Sequence, residues 1–206
     1  MEYRHIIFDF NGTLVDSANL MHEILNGLIQ KSRFKSLTTK DFETSQKLPP
    51  MKKIKMLLFS IKYQPIFMRI FDTRMSELVF AEGVKPMLAL MNEKKKPFSI
   101  LSSNTADMII HFFQDHKIQI GSVFQSNWLL GKKSAIKKFM KQNGCNAGDM
   151  LYIGDEKRDI EVCNKLGVDI IFVKWGFDGN EDISGYKIKA SVQTPEELIK
   201  ILISRK

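Results

Sequence analysis

The sequence predicts an α/β protein, a Rossmann-like parallel sheet core with an inserted α-helical cap domain. Three observations lead there. Short β-branched and aromatic runs recur at the start and through the second half of the chain, the later runs are separated by stretches with helical apolar spacing, and one long segment near the start has helical spacing and no convincing strand. Strands that alternate with helices imply a parallel sheet covered on both faces.

Taken in order, residues 3–9 (YRHIIFD) read as a buried strand that ends in a carboxylate, followed by a turn at Gly12 and Thr13. Residues 17–80 break the alternation: Leu20, Ile24, Leu25 and Leu28, then Ile54, Leu57, Leu58 and Ile61, fall at helical intervals, and Leu48-Pro49-Pro50 marks a break between helices. The expected division is a core of residues 1–16 and 81–206 and a cap of residues 17–80, inserted where it can close over the carboxyl ends of the sheet. Further strands are expected at 98–102, 122–125, 150–154 and 169–173. A last one at Lys189 to Val192 leads into a helix with Thr194 as N-cap and Pro195 in its first position.

Composition excludes several classes of protein. At 206 residues, 44% hydrophobic and 26% charged, the chain suits an ordinary folded domain with a small insertion. No run approaches the roughly 20 apolar residues of a membrane span, and the start lacks a signal-peptide pattern, so a cytoplasmic location without a membrane partner is expected. Cys145 and Cys163 show no metal-ligand spacing. His5, His22, His111 and His116 have no convincing metal partner and read as structural or surface residues.

Charge is uneven. Residues 31–69 hold ten Lys or Arg against Asp41 and Glu43, which accounts for the whole net charge of +8. A solvated helical surface explains this more readily than attraction of an anionic partner. Nucleic acid is not an expected partner, since Lys52, Lys53, Lys55 and Lys62 lack aromatic interleaving and no nucleic-acid motif is present. Met51, Met56, Phe59, Phe67 and Phe71 are expected to pack the cap helices.

Open α/β sheets present ligand-binding residues beyond the carboxyl ends of their strands. Four signals stand at such places: Asp9-Phe10-Asn11-Gly12-Thr13-Leu14-Val15-Asp16-Ser17; Ser103-Asn104 after FSILS; Lys132 in Gly131-Lys132-Lys133; and Gly154-Asp155-Glu156-Lys157-Arg158-Asp159 after MLYI. Any one is weak, but their order is specific. A carboxylate nucleophile, a hydroxyl and an amine to hold phosphate oxygens, and further acids for a metal are what phosphoryl transfer requires.

Over nearly its whole length the chain resembles the haloacid dehalogenase (HAD) superfamily, especially its phosphoglycolate-phosphatase-like branch with a helical cap. The resemblance implies a Mg²⁺-dependent phosphomonoester hydrolase that forms an aspartyl phosphate on Asp9 and acts on a small phosphorylated metabolite. It implies Mg²⁺ ligands at Asp9, Asp155 and the backbone carbonyl of Asn11, with Asp159 outside them. Glu156 either shares that outer position or serves as a dipole partner at a helix start. Ser103 and Lys132 resemble the phosphate-holding hydroxyl and amine, with Ser102 and Lys133 as register alternatives, while Gly12, Thr13 and Asn104 complete the substrate-binding set. Trp175, soon after the last long strand, either borders the pocket or closes the core.

The departure from the family pattern is Asn11, which stands where an aspartate normally protonates the leaving group and later activates water. An amide has no proton to exchange, and losing a general acid-base lowers each affected step by roughly 10²- to 10⁴-fold. The sequence therefore leads to a slow phosphatase, or to an impaired relative that binds a phosphorylated ligand without turnover.

Overall fold

A computed structural model describes residues 3–43, 48–126 and 131–204. The chain divides into two compact units, one taking the residues up to Asp16 and from Val79 onward, the other Ser17–Leu78.

The first unit is built on a six-stranded parallel sheet. Its strands are β1 (His5–Phe8), β4 (Ser99–Ser102), β5 (Val123–Gln125), β6 (Met150–Gly154), β7 (Asp169–Val173) and β8 (Ala190–Val192), in the spatial order β5-β4-β1-β6-β7-β8. β1 thus lies between β4 and β6, pairing Ile7 with Ser99 on one side and with Tyr152 on the other. All five residues of β6 are buried, as are four of five in β7. Continuous rather than alternating burial is what a parallel strand covered on both faces requires.

One face of the sheet, with Ile7, Tyr152, Ile170 and Phe172, packs against Ile136 and Phe139 of α6 (Gly131–Asn143) and Ile160 and Cys163 of α7 (Lys157–Leu166). On the other face Phe8 meets Phe98 edge-on at 5.5 Å, and Phe98 in turn meets Phe113 of α5 (Ala106–Asp115) at 6.4 Å. Helix α4 (Val84–Glu93) packs against α8 (Pro195–Ile203), whose N-cap Thr194 accepts a hydrogen bond from the Glu197 N–H at 3.3 Å.

A short antiparallel pair, β2 (Val15–Asp16) and β3 (Val79–Phe80), joins the two points where the chain leaves and re-enters this unit, with Val15 opposite Phe80. Val79 and Phe80 were expected within the insertion. A two-residue strand has too little length to show a period, which is why the sequence did not reveal it.

The second unit contains α1 (Ala18–Gln30), α2 (Thr39–Glu43) and α3 (Pro50–Thr73). Leu20, Ile24 and Leu28 form the buried face of α1, which packs against α3. Phe59 is the aromatic centre, edge-on to Phe34 at 5.8 Å, 5.4 Å from Phe42 and stacked on Tyr63 at 4.7 Å. Phe59 and Phe71 are buried as expected, but Met51 is 67% exposed. Ile54, Leu57, Leu58 and Ile61 are exposed too. The apolar residues of α3 run around most of its circumference, so spacing alone did not identify the face that packs.

In the basic segment, Lys52 pairs with Asp41 at 2.6 Å and Lys62 lies over the Tyr63 ring; Lys47 and the Glu43 side chain fall outside the described residues. Both cysteines are buried free thiols, and His5 packs edge-on against Phe139 at 5.2 Å. Among the described residues no helix is long and apolar enough to cross a membrane.

Candidate active site

The carboxyl ends of the three adjacent strands β4, β1 and β6 present Ser103, Asp9 and Asp155 immediately after their last residues. The chain proceeds from β1 to opposite sides of the sheet in reaching β4 and β6, and such a switch point leaves a crevice between the loops.

Asp9 is 5% exposed. Its backbone N–H donates to the Ile153 carbonyl at 2.9 Å, which fixes the start of the loop, and its Oδ2 accepts from Lys132 Nζ at 2.8 Å. The same ammonium donates to Asp159 Oδ1 at 2.5 Å and lies 3.4 Å from Glu156 Oε2. Lys132, in the first turn of α6, therefore gathers three acids, while Lys133 is exposed. Burial alone would lower the Lys132 pKa, but the fields of Asp159, Asp9 and Glu156 hold it well above the ordinary amine value. For Asp9 burial dominates and raises the carboxyl, against the opposing pull of Lys132. Asp159 is pushed up to about 7, chiefly by burial, with Lys132 opposing and Asp9 adding to the rise.

Asp155 is fully buried and differently held. Thr13 Oγ1 donates to its Oδ1 at 2.6 Å and the Phe177 N–H to its Oδ2 at 2.7 Å. It has no ion pair among the described residues. Burial, then the neighbouring Asp9 charge, raise its pKa well above the usual carboxylate range. The approach is close enough to exclude side chains: a Cβ on Gly12, whose φ is +79°, would lie 2.2 Å from Asp155 Oδ2, and one on Gly176 would lie 2.2 Å from Asp155 Cβ. Gly12 is required twice, for a left-handed backbone and for room.

The Asn11 side chain belongs to a hydrogen-bonded group separate from that of Lys132. Its Nδ2 donates to Asn104 Oδ1 at 2.6 Å, and the same oxygen accepts from Ser102 Oγ at 3.0 Å. Asn11 Oδ1 and Asn104 Nδ2 are buried without hydrogen-bond partners among the described residues. Ser102 is thereby committed to Asn104, and half-buried Ser103 is the serine whose hydroxyl has no such bond. Glu156 has two tasks, as N-cap residue of α7 and as a partner of Lys132 and of Arg158, the latter at 2.6 Å.

The oxygen atoms of Asp9, Glu156 and Asp159 lie within 4.8 Å of one another, a spacing that can hold a metal ion. Lys132 Nζ already stands within reach of all three, so the ammonium is their counter-ion. That leaves the Asp9–Asp155 side short of positive charge: two buried carboxylates, only one of them touching a cation. Oxygen donors with a charge deficit suit a hard divalent ion.

Sequence reading left Trp175 either bordering the pocket or closing the core and assigned no role to residues 176–179. Trp175 Nε1 donates to the Thr13 carbonyl at 2.9 Å, the Asp178 N–H reaches the Asp155 carbonyl at 3.3 Å, and Asp178 Oδ2 accepts from the Lys157 N–H at 2.8 Å at the start of α7. The available signal was Trp175-Gly176-Phe177-Asp178-Gly179 directly beyond a strand end.

A buried carboxylate beside an ammonium, with a second buried carboxylate at the end of the adjacent parallel strand, gives this α/β protein a charged site at its strand ends. Residues 6–173 match the haloacid dehalogenase-like hydrolase family, and the chain belongs to that family. It is 25% identical over 201 residues to the phosphoglycolate phosphatase of Synechococcus elongatus, covering 95% of each protein. A haloacid dehalogenase-like family hydrolase from Streptococcus pneumoniae superposes with a TM-score of 0.78 at 18% identity, over 97% of this chain and 98% of that one. CbbY from Rhodobacter sphaeroides, in complex with phosphate, superposes with a TM-score of 0.72 at 11% identity, over 95% and 96%. These two structural likenesses show a shared fold.

Proposed function

We propose that the protein is a Mg²⁺-dependent phosphomonoester hydrolase for a small anionic organophosphate of the phosphoglycolate kind, working through an aspartyl phosphate on Asp9 and slowed by Asn11. The observation that carries this reading is the Asp9 carboxylate, buried, bonded to Lys132 at 2.8 Å and facing a second buried carboxylate that lacks a cation. The relative from Synechococcus supports the substrate class.

Asp9 attacks phosphorus in line, the ester oxygen leaves, and the phosphoryl group stays on the carboxylate until water displaces it. Lys132 favours the ionised form of Asp9 and neutralises a phosphate oxygen, and Ser103 with the Gly12–Thr13 loop and Asn104 holds the others. Mg²⁺, held by Asp9, Asp155 and the Asn11 carbonyl, would screen the carboxylates from the incoming anion. Asp159 and Glu156 keep Lys132 in place from outside.

Asn11 gives the leaving oxygen a hydrogen bond at most. Esters whose leaving group departs as a stable anion, such as acyl or aryl phosphates, are therefore the faster substrates. The Asn11–Asn104 amide pair also favours a second reading, binding of a phosphorylated ligand or a persistent aspartyl phosphate without turnover. Phosphate release from a panel of small phosphomonoesters, with Mg²⁺ and with chelator, tests the first reading: release that needs both Mg²⁺ and Asp9 supports it. Release unaffected by Asp9→Asn defeats it, and a mass-detected phosphoprotein with no release selects the second.

A further inference from the structure

We propose that Trp175 is a positioning residue whose indole N–H, acting through Thr13, holds Asp155 in the rotamer that receives the divalent cation. This rests on the metal-dependent phosphatase reading above and adds a residue to it.

The argument begins with topology. β6, which carries Asp155, lies between β1 and β7. Thr13 belongs to the loop after β1 and Trp175 to the segment after β7, so the 2.9 Å bond from Trp175 Nε1 to the Thr13 carbonyl passes over the end of β6. On the way it encloses Asp155. The Thr13 hydroxyl donates to one carboxylate oxygen at 2.6 Å, and the Phe177 N–H, two residues beyond the indole, donates to the other at 2.7 Å.

Both oxygens thus have a fixed donor on different loops, and the indole is the side chain that ties those loops together. Gly12 and Gly176 close the remaining directions, since a Cβ on either would stand about 2.2 Å from atoms of Asp155. Each carboxylate oxygen keeps a second lone pair, so the two hydrogen bonds orient the group without using up its capacity to bind a cation. Orientation matters here because Asp155 has no ion pair of its own among the described residues. Without the indole bond, the Thr13 carbonyl loses its tie to the segment after β7, and the carboxylate that the Thr13 hydroxyl holds gains rotational freedom that cation binding must remove. Loss of such an outer partner lowers metal affinity by roughly 10- to 100-fold.

The test is calorimetric titration of Mg²⁺ into the full-length protein, beside Trp175→Phe, which keeps an aromatic ring and removes the donor. Thr13→Val reads the same arm from its other end, leaving the indole–carbonyl bond and removing only the hydroxyl link. Expected are a 10- to 100-fold weaker Mg²⁺ affinity in each variant, and a double variant little worse than the weaker single one, because one path is broken twice. At saturating Mg²⁺, kcat of Trp175→Phe should return to within about threefold of the parent, a split that general loosening of the fold does not produce. Unchanged Mg²⁺ affinity in a folded Trp175→Phe protein overturns the positioning role alone. Additive losses in the double variant also overturn it. No Mg²⁺ binding by the parent chain overturns this role together with the metal-dependent reading.

Discussion

Asn11→Asp is the substitution that most directly separates a slow enzyme from a binding protein. A carboxylate at position 11 would face Asn104 Oδ1, now 2.6 Å from the Asn11 nitrogen, oxygen against oxygen. Asn104 can resolve this by turning its amide, which brings Nδ2, at present a buried donor without a partner among the described residues, to the new carboxylate. Ser102 Oγ, 3.0 Å from Asn104 Oδ1, then accepts instead of donating, as a hydroxyl is able to do. Even if that bond were lost, the effect would be about 1 kcal/mol, or roughly fivefold. Restoring a proton donor and acceptor is worth roughly 10²- to 10⁴-fold per affected step, so catalysis outweighs the local rearrangement.

The assay is steady-state phosphate release across esters of graded leaving-group acidity, at saturating Mg²⁺. Asn11→Asp should accelerate alkyl phosphates by the full factor and acyl or aryl phosphates far less, because their leaving groups need little protonation. A folded, Mg²⁺-binding Asn11→Asp protein that hydrolyses alkyl phosphates no faster than the parent would refute the argument that residue 11 limits turnover.

Lys132→Met strands three acids around a lost ammonium, and removing one member of a buried ionic cluster destabilises by about 3–5 kcal/mol; denaturant unfolding of metal-free protein measures it, and a loss under 1 kcal/mol contradicts the cluster's dependence on this residue. In metal-free protein, Asp159 is pushed up to about 7 by burial, with Lys132 opposing and Asp9 adding to the rise. A carboxyl whose folded pKa lies above its unfolded value of about 3.9 contributes stability that is complete below about pH 4 and lost as pH rises through about 7. Asp9 and Asp155 shift in the same direction. Thermal unfolding in chelator should therefore show a melting temperature that falls between pH 5 and 8, with a shallower fall in Asp159→Asn; a steeper fall in that variant argues against the assignment. Thr194→Ala removes the α8 N-cap acceptor and should cost about 1 kcal/mol with no change in Mg²⁺ affinity, measured by unfolding and by titration.

The parts of the site that lie at strand ends were readable because a parallel sheet places them there: Asp9, Ser103 and Asp155 each follow a buried apolar run. The choice between Lys132 and Lys133 was readable in principle as well. Lys132 shares a helical face with buried Ala135, Ile136 and Phe139, whereas Lys133 falls on the solvent side. The serine choice was different in kind. The sequence put Ser103 first with Ser102 as the register alternative, and the bond that engages Ser102, to Asn104, is local in sequence but has a geometry that only the folded loop defines. Less accessible still was the link from Trp175 to Thr13, which joins residues 162 positions apart through a main-chain carbonyl that carries no sequence signature. In the second unit, the surplus of apolar residues on α3 hid the orientation of that helix, leaving Ile54 and Leu58 exposed and Phe59 buried.

Charge gives the last step. The chain carries +8, yet the candidate site gathers Asp9, Glu156 and Asp159 around one ammonium and buries Asp155 without an ion pair among the described residues, with the exposed Arg158 as the further cation bonded to Glu156. The basic surplus lies in residues 31–69, where Lys52 pairs with Asp41. Overall positive charge can draw an anion toward the protein, but it does not remove the local repulsion that a phosphate meets beside two buried carboxylates. Under the proposed reading that repulsion is relieved at Asp9 and Asp155, and the dependence on a divalent ion follows from the charge inventory of the site itself. Substrate affinity should accordingly collapse in chelator even at low ionic strength, where the chain's positive surplus attracts an anion most strongly.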